Sequence, residues 1–351
     1  MNRRDFLNKS TMSAIALALP TSFSADAKSM GIVVHSYGMR WNSKIDSQKY
    51  KGFNNALDLI DHCSFIGAAG VQVVVKDWTN DFTKKVREKC EKLDMYLEGS
   101  IGVPVNLSDI ARFEQEIKNA KDAGAQVVRT VCSSGRRYEN YHSKEAFKQL
   151  QTQALASLQL AEPILRRHKV KLAVENHKDW RAPELAAMLK QINSEWVGVT
   201  LDFGNSIALL EDPMDVVQTL VPYVFSTHVK DMGVEEYANG FLLSEVPLGK
   251  GILDLPKIMA LCKKHNPGVK FNLEMITRDP LEIPCLKKEY WDTLNEVPAS
   301  DLAAIMRMVR EHKFASGLPR ISQLSAEQRL AAEEQNILDC LAYSNKTLRL
   351  I

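Results

Sequence analysis

VKLAVENH at residues 170–177, VGVTLDFGN at 197–205, VFSTHVKD at 224–231 and KFNLEM at 270–275 decide how this chain folds. Each is a short apolar run that closes on a polar side chain: Glu175, Asp202, His228 and Glu274 in turn. Continuous apolar runs suit strands that are covered on both faces. Strands of a parallel barrel all point one way, so the four polar ends converge on a single rim. Three carboxylates and an imidazole gathered on one rim repel one another unless a cation sits among them. The pattern therefore points to one divalent metal ion (manganese, magnesium, cobalt or zinc) held by Glu175, Asp202, His228 and Glu274.

Working outward, four earlier runs complete a set of eight: GIVVHSY from Gly31, VQVVV from Val71, MYLEGSI from Met95 and QVVRTVC from Gln126. Segments of helical periodicity separate them, at 53–70, 81–94, 107–124, 146–169 and 255–265. Strands alternating with helices indicate a parallel sheet, and eight units predict closure into a (β/α)8 TIM barrel over 28–316. An open, doubly wound sheet for nucleotides needs a glycine-rich turn after its first strand. HSYGMRW, from His35 to Trp41, supplies none. The stretches 231–251 and 277–301 read as long loops on the catalytic rim, with Lys250 ordering the first. Residues 317–351 read as a C-terminal helical extension with Leu330, Ile337, Leu338 and Leu341 on one side. Such a helix closes the barrel's bottom, covers a pocket or pairs with a second copy in a homo-oligomer.

The chain has 351 residues, a net charge of +2 and ordinary apolar and charged fractions. That charge gives no reason to expect nucleic acid or an anionic membrane as partner. Residues 1–27 are set aside as an export signal: Arg3 and Arg4, an apolar stretch from Met12 to Leu19, then Ala25-Asp26-Ala27. The paired arginines resemble a twin-arginine signal, which implies a periplasmic protein. No later stretch is apolar for long enough to span a bilayer. The six cysteines form no CxxC pair and are expected as buried free thiols.

AVENH, TLDFGN, STHVKD and LEM, with VPLGKGILD between the last two, resemble the xylose-isomerase-like barrel superfamily of sugar isomerases, epimerases and dehydratases. The resemblance covers Gly31 to Arg310. It implies that Glu175, Asp202, His228 and Glu274 bind the catalytic metal, and that Glu175 and Glu274 flank the reacting carbon of a carbohydrate substrate. The chemistry stands on its own physical footing. Moving a proton beside a carbonyl needs a polarised oxygen, which a divalent ion supplies, and a base, which a carboxylate supplies. Return of the proton gives an isomerase or epimerase; loss of a neighbouring leaving group gives a lyase or dehydratase. A carbohydrate-binding protein without turnover is a third reading.

Two positions depart from the resemblance. Asn205 stands where ketose 3-epimerases carry a histidine, and Val234 and Glu235 stand where they carry an arginine. DMGVEEY lacks the Asp-x-His that endonuclease IV uses for its zinc ions, which sets DNA repair aside. The expected substrate contacts are His35, His177, Asn205, Lys230 and Arg278, all at or just past strand ends. Arg129 is expected to pair with a barrel acid. Trp41, Trp78 and Trp180 are candidates to stack on a sugar ring.

Overall fold

In a computed structural model, residues 30–41, 45–314 and 316–349 are described. The export-signal reading of 1–27 lies outside them. Eleven strands follow in chain order: β1 (Gly31–Val33), β2 (Gly70–Val74), β3 (Tyr96–Ser100), β4 (Val127–Thr130), β5 (Lys171–Glu175), β6 (Val197–Asp202), β7 (Val224–Val229), β8 (Asp231–Tyr237), β9 (Gly240–Val246), β10 (Lys270–Leu273) and β11 (Leu281–Ile283). Eight of them, all but β8, β9 and β11, close into a parallel barrel in which β10 pairs with both β7 and β1. These eight are the eight apolar runs of the sequence. Among the described residues the ten α-helices are α1 (Ala56–Phe65), α2 (Asn80–Lys92), α3 (Ile110–Asp122), α4 (Arg137–Asn140), α5 (Lys144–His168), α6 (Ala182–Ile192), α7 (Pro213–Leu220), α8 (Leu255–His265), α9 (Ala299–Glu311) and α10 (Ala326–Tyr343). Most helices between barrel strands bury one apolar stripe against them, as Leu59, Ile60 and Cys63 do on α1. No described helix is long and apolar enough to cross a membrane.

The barrel interior is polar. Strand residues alternate between faces, so one inward set combines Gln72, Glu98, Ser226 and Asn272. Glu98 Oε2 accepts from Gln72 Nε2 (3.0 Å), Ser226 Oγ (2.6 Å) and Asn272 Nδ2 (2.9 Å). Burial raises the Glu98 carboxyl above its ordinary value. Below that layer the Tyr96 ring fills the barrel, and a Cβ at Gly70 would lie 2.5 Å from it. Glycine is needed there for space, because the ring occupies the volume of any side chain.

The two long stretches beyond the seventh and eighth barrel strands are not simple loops. Strands β8 and β9 form an antiparallel hairpin, β11 joins β9, and α9 packs on this small sheet. Asn239-Gly240 at the hairpin turn is the signal in the sequence for this, with Gly240 at φ +146°. The turn 247–253 is ordered by Asp231 rather than Lys250. Its carboxylate accepts from the backbone N–H of Gly249 (2.9 Å), Gly251 (2.9 Å) and Leu253 (3.1 Å). Lys250 is exposed.

Helix α10 crosses the rim formed by the strand C-termini. It begins at a capping box, Ser325 with Gln328. Glu333 Oε1 accepts from the Met39 N–H (2.8 Å), Asn336 Nδ2 donates to Thr277 Oγ1 (2.8 Å), and Cys340 Sγ accepts from Leu248 N–H (3.4 Å). Glu334 pairs with Arg40 and His62. Met39 and Arg40 follow β1, Thr277 follows β10, and Leu248 follows the β8–β9 hairpin that continues from β7, so the helix lies over the end of the barrel that carries Glu175, Asp202, His228 and Glu274.

Candidate metal centre

Each of the four strand-end residues is aimed by its neighbours. On β6 the Asp202 Oδ1 accepts from the N–H groups of Gly204 (2.9 Å) and Asn205 (2.8 Å), which turns Oδ2 inward. Asn176 ties the ends of β5 and β6 together: its side chain donates to Asp202 O (2.9 Å) and accepts from Asp202 N (2.7 Å). His228 Nε2 bonds Gln72 Oε1 at 2.8 Å. The amide oxygen can only accept, so that nitrogen carries a proton and Nδ1 is the atom turned toward the other residues, its lone pair free for a metal once its own proton leaves. This chain runs on from Gln72 to Glu98, so the polar barrel interior fixes the imidazole tautomer.

The four side chains meet. One ligand atom from each of Glu175, Asp202, His228 and Glu274 lies within 4.8 Å of every other. His228 Nδ1 stands 3.5 Å from Glu175 Oε2, 3.5 Å from Glu274 Oε1 and 3.8 Å from Asp202 Oδ2. It is buried and has no hydrogen-bond partner. Two ligands about 2.1 Å from a shared ion lie at most about 4.2 Å apart, and the three His228 separations fall inside that limit. An orphaned imidazole nitrogen ringed by three carboxylates at these separations fits a divalent cation, and the mixed oxygen and nitrogen set suits the metals inferred from the sequence.

The surrounding charges fit as well. Lys230 Nζ lies 2.6 Å from Glu274 Oε2 and 2.7 Å from Asp202 Oδ2. Arg129 Nε donates to Glu175 Oε2 (2.7 Å), and its Nη2 bonds the same oxygen. Two cations against three carboxylates leave one negative charge. Burial disfavours an imidazolium here, but Glu274 and Glu175 outweigh it and raise His228 to about 9. Without metal, a protonated His228 completes the balance; with metal, that proton leaves.

A folded value near 9 against an ordinary value of about 6.5 means the proton on His228 stabilises the metal-free fold fully below about pH 6.5. That contribution is lost as pH rises through 9. Manganese should therefore release about one proton per ion at pH 7.5, and its affinity should climb up to about pH 9. Titration calorimetry in buffers of different ionisation enthalpy measures this, and zero release at pH 7.5 would contradict the assignment.

The other sequence-predicted residues fall into two groups. His35, Asn205 and Lys230 touch the cluster: His35 Nδ1 lies 3.3 Å from Glu274 Oε1, and Asn205 Nδ2 donates to Glu175 Oε1 at 3.0 Å. His177 does not bond a ligand residue. Its Nδ1 is buried without a partner, and burial pushes it down to about 4. Arg278 pairs with Glu245 at 2.6 Å instead. Trp180 is buried, whereas Trp41 and Trp78 border a rim cavity of about 510 Å³. A second cavity of about 360 Å³, between α6, α7 and α9, lies away from the cluster. Lys178, which bonds Asn205 Oδ1, had no signal in the sequence beyond its place just past a strand end.

A sequence profile described as xylose isomerase-like TIM barrel matches residues 60–307. The chain belongs to that family. Among family relatives, the 3-oxo-isoapionate decarboxylase of Pectobacterium atrosepticum is 27% identical over 174 residues, 49% of this chain and 58% of that protein. YihM of Escherichia coli is 22% identical over 233 residues, 64% of this chain and 65% of its own length. The chain thus spans less than two thirds of either relative. The same barrel recurs in a D-psicose 3-epimerase crystallised in the presence of D-fructose, at TM-score 0.58 and 16% identity, covering 91% of this chain and 99% of that one. A probable 3-DHS dehydratase, AsbF of Bacillus anthracis, matches at TM-score 0.52 and 16% identity over 80% of this chain and 98% of its own. At such identities these two likenesses speak for the fold alone.

Proposed function

We propose that this family member is a metal-dependent enzyme that removes a proton beside the carbonyl of a non-phosphorylated keto-sugar, with Glu274 as the base. When bound, the divalent ion supplies Lewis acidity to the substrate carbonyl. The observation that carries this reading is the unequal treatment of the two glutamates. Arg129 and Asn205 occupy both oxygens of Glu175, and Arg129 holds its carboxyl well below the ordinary range despite burial. Both of these partners are buried, so among the described residues no exposed group reaches Glu175. Glu274 is gripped as well, by Lys230 at Oε2 (2.6 Å), which holds its carboxyl well below the ordinary range despite burial, but its Oε1 faces His35 (3.3 Å), whose side chain is 41% exposed. Protons have a route from solvent to Glu274 through that imidazole.

One carboxylate linked to solvent through an imidazole favours chemistry on one face of the substrate. Removing the proton and returning it on the same side gives isomerisation. Epimerisation needs a donor on each face, which Arg129 makes difficult for Glu175. A lyase is the second reading: the same carbanion expels a neighbouring group, and the decarboxylase relative supports it. The test is solvent-deuterium exchange into keto-sugars by the manganese-loaded protein, followed by NMR. Exchange with isomerised or cleaved product supports the proposal; saturable binding with no exchange in any sugar supports a non-catalytic carbohydrate binder. Export to the periplasm, from the paired arginines, is part of the same proposal, and fractionation of cells producing the full chain tests it.

A further inference from the structure

Lys178 is a buried cation in search of a counter-charge. It is 4% exposed, and its side chain bonds the neutral Oδ1 of Asn205; among the described residues no carboxylate lies within ion-pair reach of it. The segment that carries it is fixed. Arg137 N–H donates to Lys178 O (2.8 Å), and Asn176 and Asp179 on either side are tied into neighbouring backbone. Burying a lysine with no acid partner is costly unless a ligand provides the anion.

The charges around Lys178 indicate what that anion is. Lys230, Glu245, Arg278 and Asp202 set the field at its ammonium, and burial together with Lys230 pushes it down to about 8. Lys230 and Asp202 are committed to each other and to Glu274. Glu245 is already engaged by Arg278, at 2.6 Å and 3.2 Å. Glu245 is the remaining acid in that field and Arg278 holds it, so the Lys178 charge has no counter-ion in contact. Two buried polar atoms nearby also lack partners: His177 Nδ1, and Tyr138 Oη, whose ring lies in the field of Arg278.

We propose that Lys178, with Arg278, binds a carboxylate of the substrate, so that the substrate is a keto-sugar acid. This rests on the reading of the same rim as a keto-sugar site. The one unmatched charge at this place, apart from the metal cluster, suits a monoanion. The group bound is not the reacting carbonyl, because the Asn205 amide stands between Lys178 and Glu175. Lys178 meets a part of the substrate displaced from the reacting carbons, which makes it a specificity residue.

The experiment uses the full, manganese-loaded chain and matched probes that differ at one end: D-fructuronate against D-fructose, and D-tagaturonate against D-tagatose. Calorimetry should give at least one acid a tenfold or greater preference over its neutral partner. Lys178→Met should bring that ratio to within about twofold, and Lys178→Arg should restore most of it. Manganese content and circular dichroism identify a variant that has failed to fold, and Arg278→Gln, which should also lower the ratio, then carries the test. No preference for either acid in the wild-type chain, or a preference that survives both charge-removing substitutions, overturns the proposal. Acid preference without deuterium exchange would retain the carboxylate site and refute the catalytic reading instead.

Discussion

Glu274→Gln should abolish deuterium exchange while leaving manganese bound. The amide keeps a carbonyl oxygen for His228's side of the cluster but cannot take a proton. Loss of a general base costs about 10²–10⁴ in rate, so exchange should fall at least a hundredfold at saturating metal. Glu175→Gln is expected to behave differently. It leaves the Arg129 guanidinium, only 8% exposed, without the carboxylate it grips. Removing one partner of a buried pair costs about 3–5 kcal/mol, so this variant should melt earlier and bind manganese more weakly. Once saturated with metal, it should retain exchange to within about tenfold. The pair of variants separates the mechanisms. If Glu175→Gln binds its metal and yet exchanges no deuterium, the protein uses both glutamates, and two-face epimerisation replaces the one-base reading.

That asymmetry could not be read from the chain alone. The four strand-end residues were legible because barrel topology turns a sequence position, the end of an apolar run, into a place on one rim. Nothing in sequence spacing reports which cation grips which carboxylate. Arg129 and Glu175 lie 46 positions apart, and Gln72 and His228 lie 156 apart. Gln72, Ser226 and Asn272 sit singly inside apolar runs, where a polar residue looks like noise until the inward faces are aligned around a closed barrel. Lys178 was hidden for a related reason. Its role depends on the absence of an acid partner, and a sequence cannot display an absence in space. The β8–β9 hairpin is more accessible: Asn239-Gly240 marks it, but the stretch follows directly on a barrel strand and so reads as part of a long rim loop.

The other large effect concerns α10. Ending the chain after Leu324 removes Leu330, Ile337, Cys340 and Leu341, each no more than 2% exposed, from the packed core. It also strips Arg40 of Glu334 and Met39 of its acceptor, Glu333. Loss of even one large buried aliphatic side chain costs about 2–5 kcal/mol, so the truncated chain should lose at least about 3 kcal/mol in urea unfolding. Ile337→Ala, a milder version, should lose about 2–5 kcal/mol on the same ground. The ligand residues sit on or beside barrel strands and are aimed by Gln72, Asn176, Arg129 and Lys230, none of which belongs to α10. Manganese affinity of Ile337→Ala should therefore stay within about threefold of the unaltered chain. Sugar affinity should not. The helix is anchored to Met39, Thr277 and Leu248, the loops that continue from β1, β10 and the β7 end of the barrel. Loosening it frees the walls through which substrate reaches His35 and Glu274, and sugar binding should weaken at least fivefold in calorimetry. If metal and sugar affinities fall together, α10 supports the whole barrel end. If neither falls while stability does, the helix is packing alone and the pocket walls hold without it.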